Sequence, residues 1–164
     1  MKKKLGLPLI CGAVLVLMAL IAIILPTADG LYAAGSVWGT SYKVTLSGYQ
    51  LIFGDSSDSL KAVAGLLVAW IFVLIALLAG ILGVVMLFLG KDKKVAKFDL
   101  STLVLCCAGL FLFIAGILFF CAKPLSDAGD GVKLGIGFII SGIASVIGGL
   151  SGIAAFVCPL VLKK

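Results

Sequence analysis

Cysteine and aspartate are the side chains in this sequence with the most chemistry to offer, because it contains no Arg, Glu or His. Cys11, the vicinal pair Cys106-Cys107 and Cys158 each fall five to seven residues from one end of an apolar run. At about 1.5 Å per helical residue they share a depth of roughly 8–11 Å. Thiols at one level on three helices would suit a redox pair or a metal site. Both need a thiolate, and here there is no Cys-x-x-Cys, no imidazole and no cation within the apolar runs to stabilise one. Cysteine as a small apolar residue accounts for these positions better, with reversible acylation near the inner face as the second reading. Cys121 stands alone at the other end, so one chain cannot form a disulfide there.

The carboxylates are no more organised. Asp127-Ala-Gly-Asp130-Gly, with Asp55 and Asp58 in an earlier loop, offers hard oxygen ligands, but the spacing completes no calcium loop. Solvated turns and helix N-caps explain each of them. Hydroxyls within the apolar runs, among them Thr102, Ser141, Ser145 and Ser151, have no base beside them, so a hydrolytic nucleophile is not expected. Gly148-Gly-Leu-Ser is not a phosphate loop, since no strand precedes it and no Lys-Ser/Thr follows. The sequence therefore predicts no catalytic residue, no cofactor and no metal, and the protein is read as not an enzyme.

What remains is apolar surface. Of 164 residues, 63% are hydrophobic and 12% charged, against about half and a quarter in a soluble domain. Four runs are long enough to cross a hydrocarbon core of roughly 30 Å, which takes about 20 helical residues. They cover residues 5–26, 62–90, 100–122 and 134–162, with no charged residue inside any of them. Asp55-Ser-Ser-Asp58-Ser supplies N-cap residues before the second, and Lys123-Pro124 stops the third. The second and fourth exceed the core thickness and should tilt or project. Lys2, Lys3 and Lys4 before the first run also suit a cleaved signal, with Tyr32-Ala33-Ala34 as small residues for processing. The run is longer than the usual 7–15 residues of such a signal, which favours an uncleaved anchor.

Lysine placement orients the spans. With the N-terminus inside, nine lysines (Lys2–Lys4, Lys91, Lys93, Lys94, Lys97, Lys163 and Lys164) lie on the inner side. Four (Lys43, Lys61, Lys123 and Lys133) lie outside. The positive-inside rule then predicts both termini in the cytoplasm and a multi-pass plasma-membrane protein. The net charge of +6 is explained by this topology, without a nucleic-acid partner. The first outer loop, residues 27–61, holds Trp38 and all three tyrosines, Tyr32, Tyr42 and Tyr49. Alternation over 42–47 and again over 49–53 predicts two short strands about a turn or bulge at Ser47-Gly48. Trp38, Tyr42 and Tyr49 are candidate outer-surface residues, and an aromatic belt at the headgroup level accounts for them equally. The expected fold is a single all-α domain over residues 1–164, a four-helix transmembrane bundle with a small extracellular β element.

The strongest pattern lies in the fourth run. Gly137, Ser141, Ser145 and Gly149 recur every fourth residue, and Ala144, Gly148 and Gly152 run beside them. Small residues let helix backbones approach closely in lipid. The stripe thus predicts close packing, either within the chain or against another copy or subunit. A pump or coupled transporter normally carries ionisable groups inside its spans, and these are uncharged. The topology resembles that of claudin-like tetraspans, which also carry a stranded first extracellular loop. Here Gly35-Ser-Val-Trp38-Gly39 lacks the paired cysteines of that family. A quinone-linked thiol oxidoreductase of four helices would need exposed cysteine pairs, also absent. The expectation is a non-enzymatic accessory, assembly or structural subunit, with the bilayer and itself or another membrane subunit as partners. The alternative is a small channel or transporter component whose pathway forms only on oligomerisation.

Overall fold

Each apolar run folds as a helix in the computed structural model, which describes residues 6–37, 40–54, 61–89, 94–95, 98–127 and 131–161. The long helices are α1 (Gly6–Ile24), α3 (Ala64–Leu89), α4 (Leu100–Phe120) and α6 (Ile136–Val161). All four are long and apolar enough to cross a membrane. Between them lie the short helices α2 (Gly48–Phe53) and α5 (Ala122–Leu125). The chain leaves α1 through a single 3₁₀ turn, Leu25–Thr27, where Pro26 cannot donate the next helical hydrogen bond. At 26 residues each, α3 and α6 are about 39 Å long, beyond a core of roughly 30 Å.

The helices pack side by side in the cyclic order α1–α3–α4–α6. Leu15, Val73, Leu112 and Phe119 are fully buried at the centre, and the Phe119 ring stacks on Phe138 of α6. Around this core the outward positions are just as apolar. Leu17, Leu78, Phe88, Ile143 and Leu150 are all exposed. A helix apolar on every side is stable only where its outer face also avoids water, as in lipid.

One end of the helices carries a three-stranded antiparallel sheet in the order β2-β1-β5. Its strands are β1 (Asp29–Val37), β2 (Thr40–Ser47) and β5 (Val132–Leu134). Val37 pairs with Thr40 and Leu31 with both Leu46 and Leu134, so the central strand joins the connection after α1 to the one before α6. At the opposite end, β3 (Lys94–Val95) and β4 (Phe98–Asp99) form a minimal antiparallel pair leading into α4.

The structure corrects the sequence expectation in three places. The segment 49–53, predicted as a strand, is the helix α2. Ser47-Gly48 is its start and not a hairpin turn: the Ser47 hydroxyl accepts from the Gln50 amide, while the Gln50 side chain accepts from the Ser47 amide. Such reciprocal capping satisfies two amides that a strand would have left to a neighbour, and the local bonds prevail over the apolar alternation. The second strand begins at Thr40, before the expected 42. Finally, the sheet is built on β1 and β5, which the sequence reading did not identify as strands.

Candidate functional site

The small-residue stripe of α6 faces its own chain. A Cβ placed on Gly149 would lie 2.9 Å from the Gly109 carbonyl oxygen of α4, and one on Gly152 only 2.7 Å from the Gly109 Cα. Gly116, two turns further along α4, sits against Ser145 and the Gly142 carbonyl. On the adjacent side, a Cβ at Gly148 would meet Leu112 at 2.6 Å and the Met18 Cβ at 2.9 Å. Gly137 abuts the Leu25 and Asp29 carbonyls where the chain leaves α1. Ser141 and Ser145 are completely buried, and neither hydroxyl has a hydrogen-bond partner. They act here as small side chains that admit close approach. All six stripe residues, Gly137, Ser141, Ser145, Gly148, Gly149 and Gly152, are thus buried inside the structure.

The sheet end is tied down by several independent contacts. Gly135 donates to the Gly30 carbonyl at 2.7 Å, holding the start of α6 against β1. The Tyr49 hydroxyl donates to the Ile23 carbonyl at 2.8 Å, capping the last turn of α1. The Tyr49 ring stacks on Phe53, and Phe53 meets Trp70 of α3 edge-on at 5.1 Å between centroids. Lys43 of β2 pairs with Asp29 at 2.9 Å and lies over the Tyr32 ring. Beyond these contacts β2 is uncovered: Ser41, Val44 and Thr45 are exposed, and the edge of β2 away from β1 pairs with no described strand.

Of the three surface aromatics expected to mark this loop, only Tyr49 can be placed fully, and it is half-buried as a tether. Tyr42 lies in β2 opposite Gly35, with its side chain outside the described residues. Trp38 lies wholly outside them, as do Asp55, Asp58, Asp130 and all the expected inner lysines except Lys94. The cysteines are all free, and among the described residues no group of His, Cys, Asp or Glu is placed to hold a metal ion. The pairing of Lys43 with Asp29 and the α4 glycines Gly109 and Gly116 were missed by the sequence reading. Gly109 and Gly116 are one heptad apart in a leucine-rich helix, a spacing that could have marked the partner face for the α6 stripe.

No family model matches the chain, and no curated protein matches it at a significant level. Any functional reading therefore rests on the molecule's own surfaces.

Proposed function

We propose that this chain is a plasma-membrane protein whose helix bundle crosses the bilayer four times, with both termini cytoplasmic. In this reading it is a non-enzymatic accessory or assembly subunit, engaging a partner through the sheet on its outer side. The nine-to-four lysine distribution supports the orientation. Four uncharged spans support a role that moves no ion or proton through this chain alone.

One observation carries the interaction reading. The α6 stripe, which the sequence allowed as a docking face as well as an internal one, is taken up internally, while β2 presents an edge that no described strand pairs with, and exposed side chains, on a sheet held to α1, α3 and α6. A free strand edge carries unpaired amides and carbonyls that a partner strand or loop can satisfy.

The test is purification of the tagged full-length protein in mild detergent after cross-linking in cells, for wild type and Val44→Asp. Val44 is 56% exposed, so a charge there leaves the core intact. A membrane protein recovered in fixed ratio with wild type and lost with Val44→Asp is the expected result. An unaccompanied chain, or a partner retained by the variant, would remove the sheet from the proposal. Single-channel conductance by the purified protein would favour the small-channel alternative.

A further inference from the structure

The seam between α1 and α6 brings two of the cysteines together. The helices run antiparallel, since Gly137 abuts the Leu25 carbonyl at the end of α1 while Gly152 lies against the Leu15 side chain. Midway, a Cβ on Gly148 would lie 2.9 Å from the Met18 Cβ and 3.6 Å from the Leu15 carbonyl oxygen. On α1, Cys11 precedes Leu15 by four residues and Met18 by seven, which puts it on the stripe that faces Gly148. On α6, Ala155 and Cys158 follow Gly148 by seven and ten residues, again along one stripe.

Two turns from the Met18–Gly148 contact, Cys11 and Ala155 are therefore level. The packing agrees: Cys11 lies against the buried cluster of Leu87, Leu105 and Ala155. Cys158 is one turn further from the sheet, about 4.5 Å along the axis. A helical Cβ tilts toward the N-terminus of its own helix. For α1 that is away from the sheet and for α6 toward it, so the two side chains lean toward each other. The thiols are within electrostatic reach of one another. Both are free and half-buried, Cys11 five residues from the start of α1 and Cys158 three from the end of α6. The vicinal pair on α4 is not equivalent. Consecutive helical side chains diverge by about 100°, so a bond from Cys106 to Cys107 would open that helix.

We propose that Cys11 and Cys158 form a reversible dithiol–disulfide pair, oxidised by a small disulfide of the glutathione type, that bonds the first long helix to the last. One thiol gives up its proton and attacks the small disulfide, breaking its S–S bond. A mixed disulfide forms and one small thiol leaves. The second cysteine then displaces the other half, closing the Cys11–Cys158 bond. Two protein thiols are oxidised, one small disulfide is reduced to two thiols, and both protons pass to the leaving groups. The bond would fasten the seam at the end away from the sheet, where side chains alone now hold it. The pairing comes from the register of the two helices and holds for either orientation in a membrane.

The experiment treats the full-length protein in mild detergent with oxidised glutathione. Free thiols are then alkylated under denaturing conditions and counted by intact mass. Wild type should lose two of its five alkylatable thiols with no glutathione retained, and recover them in dithiothreitol. Peptide mapping without reductant should join the Cys11 and Cys158 peptides of one chain. A variant with Cys106, Cys107 and Cys121 all replaced by Ser should close the same bond. Cys11→Ser and Cys158→Ser should each stop at the mixed disulfide. Because the bond closes a loop over most of the chain, the oxidised protein should have the higher Tm. Five alkylatable thiols, glutathione adducts without closure, or a bond between two chains would each overturn the proposal. So would a Tm unchanged or lowered by oxidation, since the bond would then form only from a distorted bundle.

Discussion

Gly109→Ala is the smallest change that tests how α4 and α6 are held together. The added Cβ would sit 2.7 Å from the Gly149 carbonyl oxygen and 3.0 Å from both the Gly152 Cα and the Ile153 nitrogen. All three are backbone atoms, so no side-chain rotation relieves the contact. Ordinary contact begins near 3.4 Å, so the two helices must separate by up to about 0.7 Å at this point. Helices move as rods, and the opening spreads to the Gly116–Ser145 contact two turns away. A gap of 0.5–1 Å forfeits roughly a quarter to a half of the dispersion energy across it.

Overpacking of this kind costs about 1–3 kcal/mol. Against it stands the gain from replacing Gly by Ala inside a helix, about 0.5–1 kcal/mol. Repulsion wins, and a net loss of about 1–2 kcal/mol should lower Tm by roughly 2–8 °C for a chain of this size. Gly65→Ala is the matched control. There the atoms nearest an added Cβ all belong to the Leu125 side chain, whose two methyl carbons at 2.9 Å can swing aside. That variant should match or exceed wild type. Unfolding in mild detergent can be followed with a thiol-reactive fluorophore, since the five free cysteines lie in or beside the spans. A Tm for Gly109→Ala at or above wild type, or an equal loss in Gly65→Ala, would refute backbone contact as the basis of the α4–α6 interface.

Other outcomes follow from the same contacts. Tyr49→Phe deletes the bond to the Ile23 carbonyl while keeping the ring, and should cost about 0.5–1.5 kcal/mol by thermal unfolding. Lys43→Ala removes an ion pair whose side chains are 53% and 39% exposed. It should change stability by less than about 1 kcal/mol, and by less still in high salt. In sealed cells, a membrane-impermeant thiol reagent should label a cysteine placed at Ser57 or Gly129 and spare one at Ala96. Labelling at Ala96 alone would invert the proposed orientation.

The four helices were legible because each is a long uncharged run, and in hydrocarbon the backbone has few ways other than helix to satisfy its own hydrogen bonds. The sheet was legible only in part. β2 carries the alternating Tyr42-Lys-Val-Thr-Leu-Ser47, but β1 reads Gly30-Leu-Tyr-Ala-Ala-Gly35, dominated by residues of low strand propensity. Its strand form comes from having a partner on both edges. β5 is three residues long and gains its identity from Leu31, Tyr32 and Ala33, a hundred positions away. The helix α2 was readable in principle, since Ser47-Gly-Tyr-Gln50 fits the capping-box spacing; the apolar alternation over 49–53 obscured it. For the α6 stripe, the sequence showed that something packs closely there. Its partner is local because Gly109 and Gly116 stand at matching heights on α4.

That internal use of the stripe bears on how any partner can be recognised. Between helices in lipid, exchanging an isoleucine–lipid contact for an isoleucine–isoleucine contact gains little, because the tails are as apolar as the side chains. The exposed ridge of α6 (Ile136, Ile143, Ile147 and Leu150) is such a surface, and the small residues that would let a foreign backbone approach are already occupied. At the sheet the balance differs. The edge of β2 that no described strand pairs with offers amides and carbonyls that exchange water for a partner's backbone, and direction and register make that exchange selective. Discrimination between partners should therefore reside in β2, with the helix surface contributing contact area. Grafting residues 40–47 of β2 onto an unrelated four-helix membrane protein with a free strand edge should transfer the partner. If the partner instead follows the α6 ridge, selectivity lies in the helices after all.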